Sequence, residues 1–73
     1  MTADDDSPFA AIRARIGFAT QIEFARALDV DVSCVNKWEA GTRRPRYREM
    51  QRIRRLALRR GIAWRDEWFF AEA

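Results

Sequence analysis

Residues 20–41 read TQIEFARALDVDVSCVNKWEAG and contain the signals for two short helices separated by a turn. Thr20 and Glu23 have the spacing of a capping box, in which each side chain binds the backbone N–H group of the other residue, so a helix begins at Thr20. Asp31 is a favoured N-cap for a second helix, which Gly41 can end in a left-handed conformation. We therefore predict two helices within this stretch, joined by a turn of about three residues.

The apolar side chains of this stretch fall on one face of each predicted helix. Phe24, Ala25 and Leu28 have helical spacing in the first helix, and Val35 and Trp38 have it in the second. Ala25 is small and lies where the helices would cross, so the two helices can pack closely. The second helix can then project from the body of the domain, as a helix must to enter a DNA major groove about 12 Å wide.

Helix-forming signals also occur on both sides of this pair. Before it, Ser7 is a favoured N-cap followed by proline, and Gly17 can end the helix that follows. After it, Pro45 interrupts the helical pattern, and a fourth helix is expected over residues 47–60. The apolar residues that we expect on its inner face are Tyr47, Met50, Ile53 and Ala57.

The fold class follows from these helices and from the lack of alternating β-branched runs. We predict an all-α, compact five-helix domain over residues 7–73, whose last helix lies within residues 62–73. Residues 1–6 contain three consecutive aspartates and are expected to form a disordered acidic tail. A chain of 73 residues has room for one domain with a marginal core, which tight helix packing or self-association must stabilise.

The composition excludes several classes of function. The sequence has no His and one Cys, so we expect no metal site and no disulfide, and we interpret Cys34 as a small packed hydrophobe rather than a redox sensor. The carboxylates are scattered or serve as helix caps, so we expect no enzyme activity, no catalytic residue and no cofactor. There is no signal peptide and no apolar run of about 20 residues, which predicts a cytoplasmic protein that does not contact a membrane.

Positive charge is concentrated in one part of the chain. The net charge is +3, yet residues 43–60 contain nine arginines and a single acid, Glu49. Such clustering is typical of a nucleic-acid-binding surface, and the arginine side chain suits phosphate groups and guanine edges. A genome rich in G and C would also favour arginine over lysine, but it would not explain why the arginines cluster.

Residues 12–62 resemble the Cro and repressor type of helix-turn-helix domain (Xre-like), a family of five-helix DNA-binding domains in phage repressors and many bacterial regulators. The resemblance rests on an ordered set of motifs: Thr-Gln-x-Glu-Phe-Ala at 20–25, Val-Asn-Lys-Trp-Glu-x-Gly at 35–41, and Arg-Arg-Pro at 43–45. The family usually has glycine in the turn, where this chain has Asp29, a residue that tolerates a left-handed backbone. The resemblance implies a bacterial or phage-encoded, nucleoid-associated protein that binds double-stranded DNA.

The resemblance also implies which residues contact DNA. Base contacts are expected from the exposed face of the second helix of the motif, and phosphate contacts from the start of its first helix and from the loop after its second. The expected base-contacting residues are Val32, Ser33, Asn36 and Lys37. The expected phosphate-contacting residues are Gln21, Thr42, Arg43, Arg44 and Arg46. The alternative for each of them is a plain solvent-exposed residue.

Four aromatic residues near the C-terminus are more than one small core can easily bury. They are Trp64, Trp68, Phe69 and Phe70. In an α-helix, Trp64 and Trp68 would share one face, while Phe69 and Phe70 would point away from it. We expect part of the cluster to cover the first and fourth helices, and the rest to form a homodimer interface.

The resemblance and the charge distribution together predict a sequence-specific DNA-binding transcriptional regulator. Its simplest form is a dimeric repressor that occludes its operator and takes no small-molecule ligand. The alternative is a helix-turn-helix module that binds a partner protein through its aromatic C-terminus and binds DNA without specificity. RNA binding is a weaker variant, because no aromatic platform for stacking single strands is evident in the sequence.

Overall fold

A computed structural model describes residues 7–70 of the chain. Its elements, in chain order, are α1 (Phe9–Ile16), α2 (Gln21–Leu28), α3 (Val32–Ala40) and α4 (Tyr47–Arg59), followed by a 3-10 helix at Asp66–Phe70. The predicted all-α class is confirmed, but the described residues form four α-helices rather than five. The fifth is a single short 3-10 helix, as is common for segments too short to offset the cost of nucleating an α-helix. The expected acidic tail at residues 1–6 and the end of the expected C-terminal helix, residues 71–73, lie outside the described residues.

Polar side chains determine where α2 and α3 begin. The Thr20 hydroxyl accepts a hydrogen bond from the Glu23 N–H at 3.2 Å, and Asp31 Oδ1 accepts one from the Ser33 N–H at 3.0 Å. The reciprocal half of the predicted capping box differs, since the Glu23 carboxylate accepts a hydrogen bond from the Thr20 hydroxyl rather than from the backbone. Each cap satisfies a backbone donor that the first helical turn would otherwise leave unpaired. Both helices therefore begin where the local sequence places them.

The turn between α2 and α3 depends on a residue in the left-handed conformation. Asp29 has φ 58° and ψ 47°, and the Val30 N–H donates a hydrogen bond to the Ala25 carbonyl at 3.0 Å. Arg52 of α4 binds the same turn, because its guanidinium donates to the Leu28 carbonyl at 3.2 Å. The turn is thereby fixed against both α2 and α4, and it sets the direction in which α3 leaves.

Substitution of Asp29 by glycine is expected to raise the free energy of unfolding by about 0.5–1 kcal/mol. Glycine removes the strain of a left-handed backbone, about 1–2 kcal/mol, and part of that gain is offset by the greater entropy of glycine in the unfolded chain. Asp29 is exposed, so no packing is lost. Chemical denaturation of Asp29→Gly and Asp29→Ala would measure the effect, and alanine should lower stability because it keeps the strain. An equal gain from both variants would show that removal of the charge, rather than the backbone, is responsible.

The core forms where the apolar faces of the four α-helices meet. Trp38 and Phe24 are fully buried, and the small buried side chain of Ala25 lets α2 and α3 approach closely. Phe9 packs against Trp38 with ring centroids 6.2 Å apart, which joins α1 to α3. Our expectation that Tyr47 lies on the inner face of α4 is wrong, because this first residue of the helix is 76% exposed. The buried residues of α4 are Ile53, Leu56 and Ala57.

The aromatic C-terminus is divided between the core and the surface. Phe69 is buried, with its ring centroid 4.9 Å from that of Trp64, whereas Phe70 is 64% exposed. Our expectation that Phe69 would point away from the tryptophans is wrong, because residues 62–65 form irregular backbone rather than part of one α-helix, and Trp64 contacts Phe69 from outside the short 3-10 helix. Trp64 and Trp68 are half-buried and pack edge to face, with centroids 5.1 Å apart. Part of the cluster therefore completes the core, and Phe70 extends outward.

Candidate nucleic-acid interface

α3 presents one polar face to solvent and buries the opposite face in the core. Val32, Ser33, Asn36 and Lys37 are all exposed, and their spacing places them on adjacent turns of one side of the helix. The other side is anchored by buried residues, among them Trp38. The four residues predicted as base contacts are therefore brought together on one accessible surface.

Gln21, the predicted phosphate contact at the start of α2, is joined to α3 by two side-chain hydrogen bonds. Its Nε2 donates to Glu39 Oε1 at 3.1 Å, and its Oε1 accepts from Asn36 Nδ2 at 3.4 Å. Gln21 is half-buried, in contrast to a freely solvated side chain. The first turn of α2 and the exposed face of α3 are thus held in a fixed relation.

A largely buried ion pair holds Glu39, the acceptor of the hydrogen bond from Gln21, in place. Arg13 Nε donates to Glu39 Oε2 at 2.7 Å, and the two side chains are 19% and 9% exposed. The same guanidinium donates to the carbonyls of Phe18 and Ala19 at 3.1 and 2.9 Å. Arg13, Glu39, Gln21 and Asn36 form one chain of contacts, which we call the Glu39 network. It links α1 and the α1–α2 loop to the exposed face of α3.

Arg13 and Glu39 are functional candidates that the sequence analysis missed. Glu39 follows the inward residue Trp38 directly, and an acid beside the inner face of a helix is a signal that it needs a buried partner. No pattern in the sequence identified that partner, because Arg13 and Glu39 are 26 residues apart in the chain. Only the packing of α1 against α3 brings the two charges together.

The loop between α3 and α4 is basic and exposed. Thr42, Arg43, Arg44 and Arg46 are all exposed, and Pro45 between them is buried and anchors the loop. Proline also keeps the preceding residue out of the helical conformation, so the loop cannot continue α3. The four predicted phosphate contacts of the loop therefore occupy one basic segment beside α3.

Hydrogen bonds tie this loop to the end of α3. The Thr42 hydroxyl and N–H both donate to the Lys37 carbonyl, at 3.3 and 3.1 Å. The loop and the α2–α3 turn line an open cleft of about 740 Å³. Arg43 and Arg44 are among the residues that line it. Cys34 lies half-buried at this cleft and packs against the core. The basic loop and the polar face of α3 are thus neighbouring parts of one surface.

The N-cap of α3 is a charged carboxylate. The backbone hydrogen bond from Ser33 holds the pKa of Asp31 below its ordinary value of 3.8, and the Ser33 hydroxyl and the charge of Lys37 act in the same direction. Asp31 is therefore ionised at neutral pH, where it offsets part of the positive end of the helix dipole. Because the cap occupies the N-terminal end of α3, the side chains of its exposed face are the part of the helix that remains available for contact with a ligand.

Comparison with protein families identifies this arrangement. A family model described as Helix-turn-helix matches residues 20–56, which contain α2, α3, the basic loop and most of α4. The family is one of helix-turn-helix DNA-binding regulators. The chain belongs to the Cro/C1-type helix-turn-helix family, as the sequence motifs predicted.

The remaining comparisons and searches add three findings. Neither the curated proteins nor the solved structures gave a significant match to this chain. In the part of the chain that the structure describes, no group of three or more His, Cys, Asp or Glu residues could hold a metal ion. No helix of residues 7–70 is long and apolar enough to cross a membrane.

Proposed function

We propose that the protein is a sequence-specific transcriptional repressor that binds its operator as a homodimer and occludes the promoter. The observation that carries the proposal is the placement of the polar face of α3 directly beside the arginine loop, whose Thr42 is hydrogen-bonded to the Lys37 carbonyl of α3. A specific DNA-binding surface needs both parts, because phosphate contacts set position and base contacts set sequence. In this protein α3 would enter the major groove as the recognition helix.

The four side chains of the α3 face would read base edges. Lys37 can donate to O6 and N7 of guanine, and Asn36 can pair with the N6 and N7 edge of adenine. Ser33 can donate or accept, and Val32 can contact a thymine methyl group. The bond between Asn36 and Gln21 supports this assignment, because it limits the orientations available to the Asn36 amide before DNA binds.

Phosphate contacts would come from both ends of the motif. Gln21 lies at the N-terminus of α2, where backbone N–H groups favour an anion. The loop would supply the remaining contacts through exposed side chains. These are Thr42, Arg43, Arg44 and Arg46. Exposed Tyr47 follows them and could add a phenolic hydrogen bond to the same phosphate backbone.

The homodimer would form through the aromatic C-terminus. Phe70 is the largely exposed member of the cluster, and half-buried Trp64 and Trp68 surround the buried ring of Phe69. An exposed apolar side chain beside a partly exposed cluster of aromatic side chains favours self-association in a small domain. Two recognition helices about 34 Å apart would then reach successive major grooves of a near-palindromic operator.

Selection from a random-sequence duplex library would test this function, with wild type and Lys37→Ala compared at about 150 mM salt. Wild type is expected to select a near-palindromic motif. Lys37→Ala should blur that motif at defined positions and cost about 1–3 kcal/mol of discrimination there. Arg26→Ala is the matched control, because it removes one positive charge from an exposed residue outside α3, its loop and the aromatic C-terminus.

Two results would contradict the proposal. If wild type selects no motif and binds every duplex with a steep salt dependence, the basic loop binds phosphate without base readout. If Arg26→Ala blurs the motif as much as Lys37→Ala does, α3 is not the reading element. Non-specific binding would favour the second candidate function, in which exposed Phe70 marks a surface for a partner protein.

A further inference from the structure

Four arginines of α4 lie along a single face of the helix. They are Arg48, Arg52, Arg55 and Arg59. Their spacings of four, three and four residues bring each onto the same side as the next. At about 1.5 Å per residue, the first and last are about 16 Å apart along the helix axis. We call this row the α4 arginine stripe.

The described acidic residues leave the stripe without ion pairs. Within residues 7–70, the three salt bridges shorter than 4.0 Å join Glu39 to Arg13, Asp66 to Arg54, and Glu67 to Arg65. None of them includes a member of the stripe. In the described contacts Arg52 alone is held by the protein, through the carbonyls of the α2–α3 turn. Three of the four positive charges of the stripe are therefore exposed and unneutralised in this part of the chain.

The stripe does not stabilise the helix that carries it. Like charges three or four residues apart repel, and each such pair destabilises a helix. Arg48 also lies in the first turn of α4, where the helix dipole disfavours a cation. Only Arg59, in the last turn, has a favourable position relative to the dipole. A role outside folding accounts better for this row of charges.

The stripe is continuous with the loop that we propose as a phosphate contact. Arg48 and Arg52 line the same cleft as Arg43, Arg44 and Arg46. Arg55 and Arg59 carry the positive surface on from this cleft along α4. A polyanion bound at the loop would therefore meet further positive charge without a gap. The length of the stripe corresponds to about five base pairs of duplex at about 3.4 Å each.

We propose that the α4 arginine stripe is a second phosphate-binding track, which binds duplex DNA flanking the base pairs read by α3. This inference rests on the proposed function, because it assumes that the loop and α3 meet the same duplex. It enlarges the DNA footprint beyond the operator sequence that base contacts define. Contacts of this kind add affinity and salt dependence but no direct sequence readout.

The test compares two double variants on two duplexes. Arg55→Gln/Arg59→Gln removes two charges from the stripe and leaves the cleft and the turn intact. Arg26→Gln/Arg54→Gln removes the same number of charges from exposed arginines outside the stripe, the loop and the aromatic C-terminus. One duplex ends at the outermost base pair of the selected motif, and the other extends about ten base pairs beyond it on each side, twice the reach of the stripe. Affinity is measured from 50 to 200 mM salt.

The stripe variant should lose about 1.8 units of salt slope per protomer on the extended duplex, since each phosphate contact contributes about 0.9. Between 50 and 200 mM salt the affinity of the dimer, which has two stripes, should therefore fall about 150-fold less than that of wild type. On the short duplex it should match wild type, and the control variant should match wild type on both. Thermal unfolding of all variants checks that exposed glutamines leave the fold intact.

Other outcomes overturn the inference. Equal slopes for wild type and the stripe variant on the extended duplex would show that α4 does not contact flanking DNA. Equal losses on both duplexes, or an equal loss in the control variant, would assign the effect to net charge. These results are separable from failure of the proposed function, which would appear as the absence of any selected motif in wild type.

Discussion

Replacement of Glu39 by alanine is expected to destabilise the protein by about 3 kcal/mol, a large share of the stability of a small domain. The substitution leaves the Arg13 guanidinium, which is 19% exposed, with the Phe18 and Ala19 carbonyls but without its carboxylate partner, from which it lies 2.7 Å in the native protein. Breaking a buried pair costs more than the pair contributes, because one desolvated charge remains. For a domain of this size the melting temperature should fall by more than about 10 °C.

The double variant Arg13→Met/Glu39→Leu separates charge from packing. It removes both charges and keeps comparable apolar volume, so its stability should approach that of wild type. Glu39→Gln should lie between the two, because the amide keeps one acceptor for Arg13. If the double variant is as unstable as Glu39→Ala, the loss comes from packing and the ion pair is not its cause.

The same variants connect stability to DNA binding. Glu39 accepts a hydrogen bond from Gln21, which in turn accepts one from Asn36. In the double variant the fold is retained but Gln21 loses its acceptor, so the first turn of α2 is less firmly oriented toward α3. The Glu39 network is therefore a positioning device for the proposed DNA contacts.

Signals a few residues apart predicted the helix-turn-helix correctly. The side chains of Thr20 and Asp31 cap helices over distances of two or three residues, and Gly41 and Asp29 adopt the left-handed conformations that end α3 and α2. These effects depend on the local backbone, so they can be read from the chain without knowledge of its packing. The helical spacing of Val35 and Trp38 is also a local signal, so the exposed face of α3 could be predicted as the side opposite these buried residues.

Features that depend on packing between distant segments were not predictable in the same way. Tyr47 has the spacing of an inward residue but lies at the first position of α4 and is exposed. Phe69 is buried beside Trp64 because residues 62–65 form irregular backbone that brings Trp64 against it, rather than one α-helix continuing through both residues. The pairing of Arg13 with Glu39 likewise depends on how α1 crosses α3.

Of the candidate site, the sequence predicted which residues share a surface, but not how firmly they are held. Lys37 and Ser33 are exposed on α3, as the periodicity implied. Gln21 was expected at a helix terminus facing an anion, and the hydrogen bonds that orient it were not anticipated. Side-chain networks of this kind require the relative positions of three helices, which no single repeat in the sequence encodes.

Neutralisation of the loop by Arg43→Gln/Arg44→Gln/Arg46→Gln is expected to have the largest effect on DNA binding. If each arginine contacts one phosphate, the salt slope should fall by about 2.7 units per protomer, at about 0.9 per contact. Between 50 and 200 mM salt the affinity of the dimer, which has two loops, should then decrease about 2,000-fold less than that of wild type. Glutamine keeps hydrogen-bonding capacity and similar length, so the variant tests charge more than shape.

The sequence motif selected by this loop variant should be the same as that selected by wild type, because the loss of phosphate contacts weakens binding to all sequences about equally. This expectation contrasts with Lys37→Ala, which should alter the motif while changing the salt slope by about one unit at most. Arg26→Gln/Arg54→Gln/Arg60→Gln is the matched control, since it also removes three charges but none from the loop, the stripe or the aromatic C-terminus. If that control reduces the salt slope as much as the loop variant does, the overall field of the protein drives binding. If instead the loop variant changes the motif, the loop reads bases and the division between α3 and the loop is wrong.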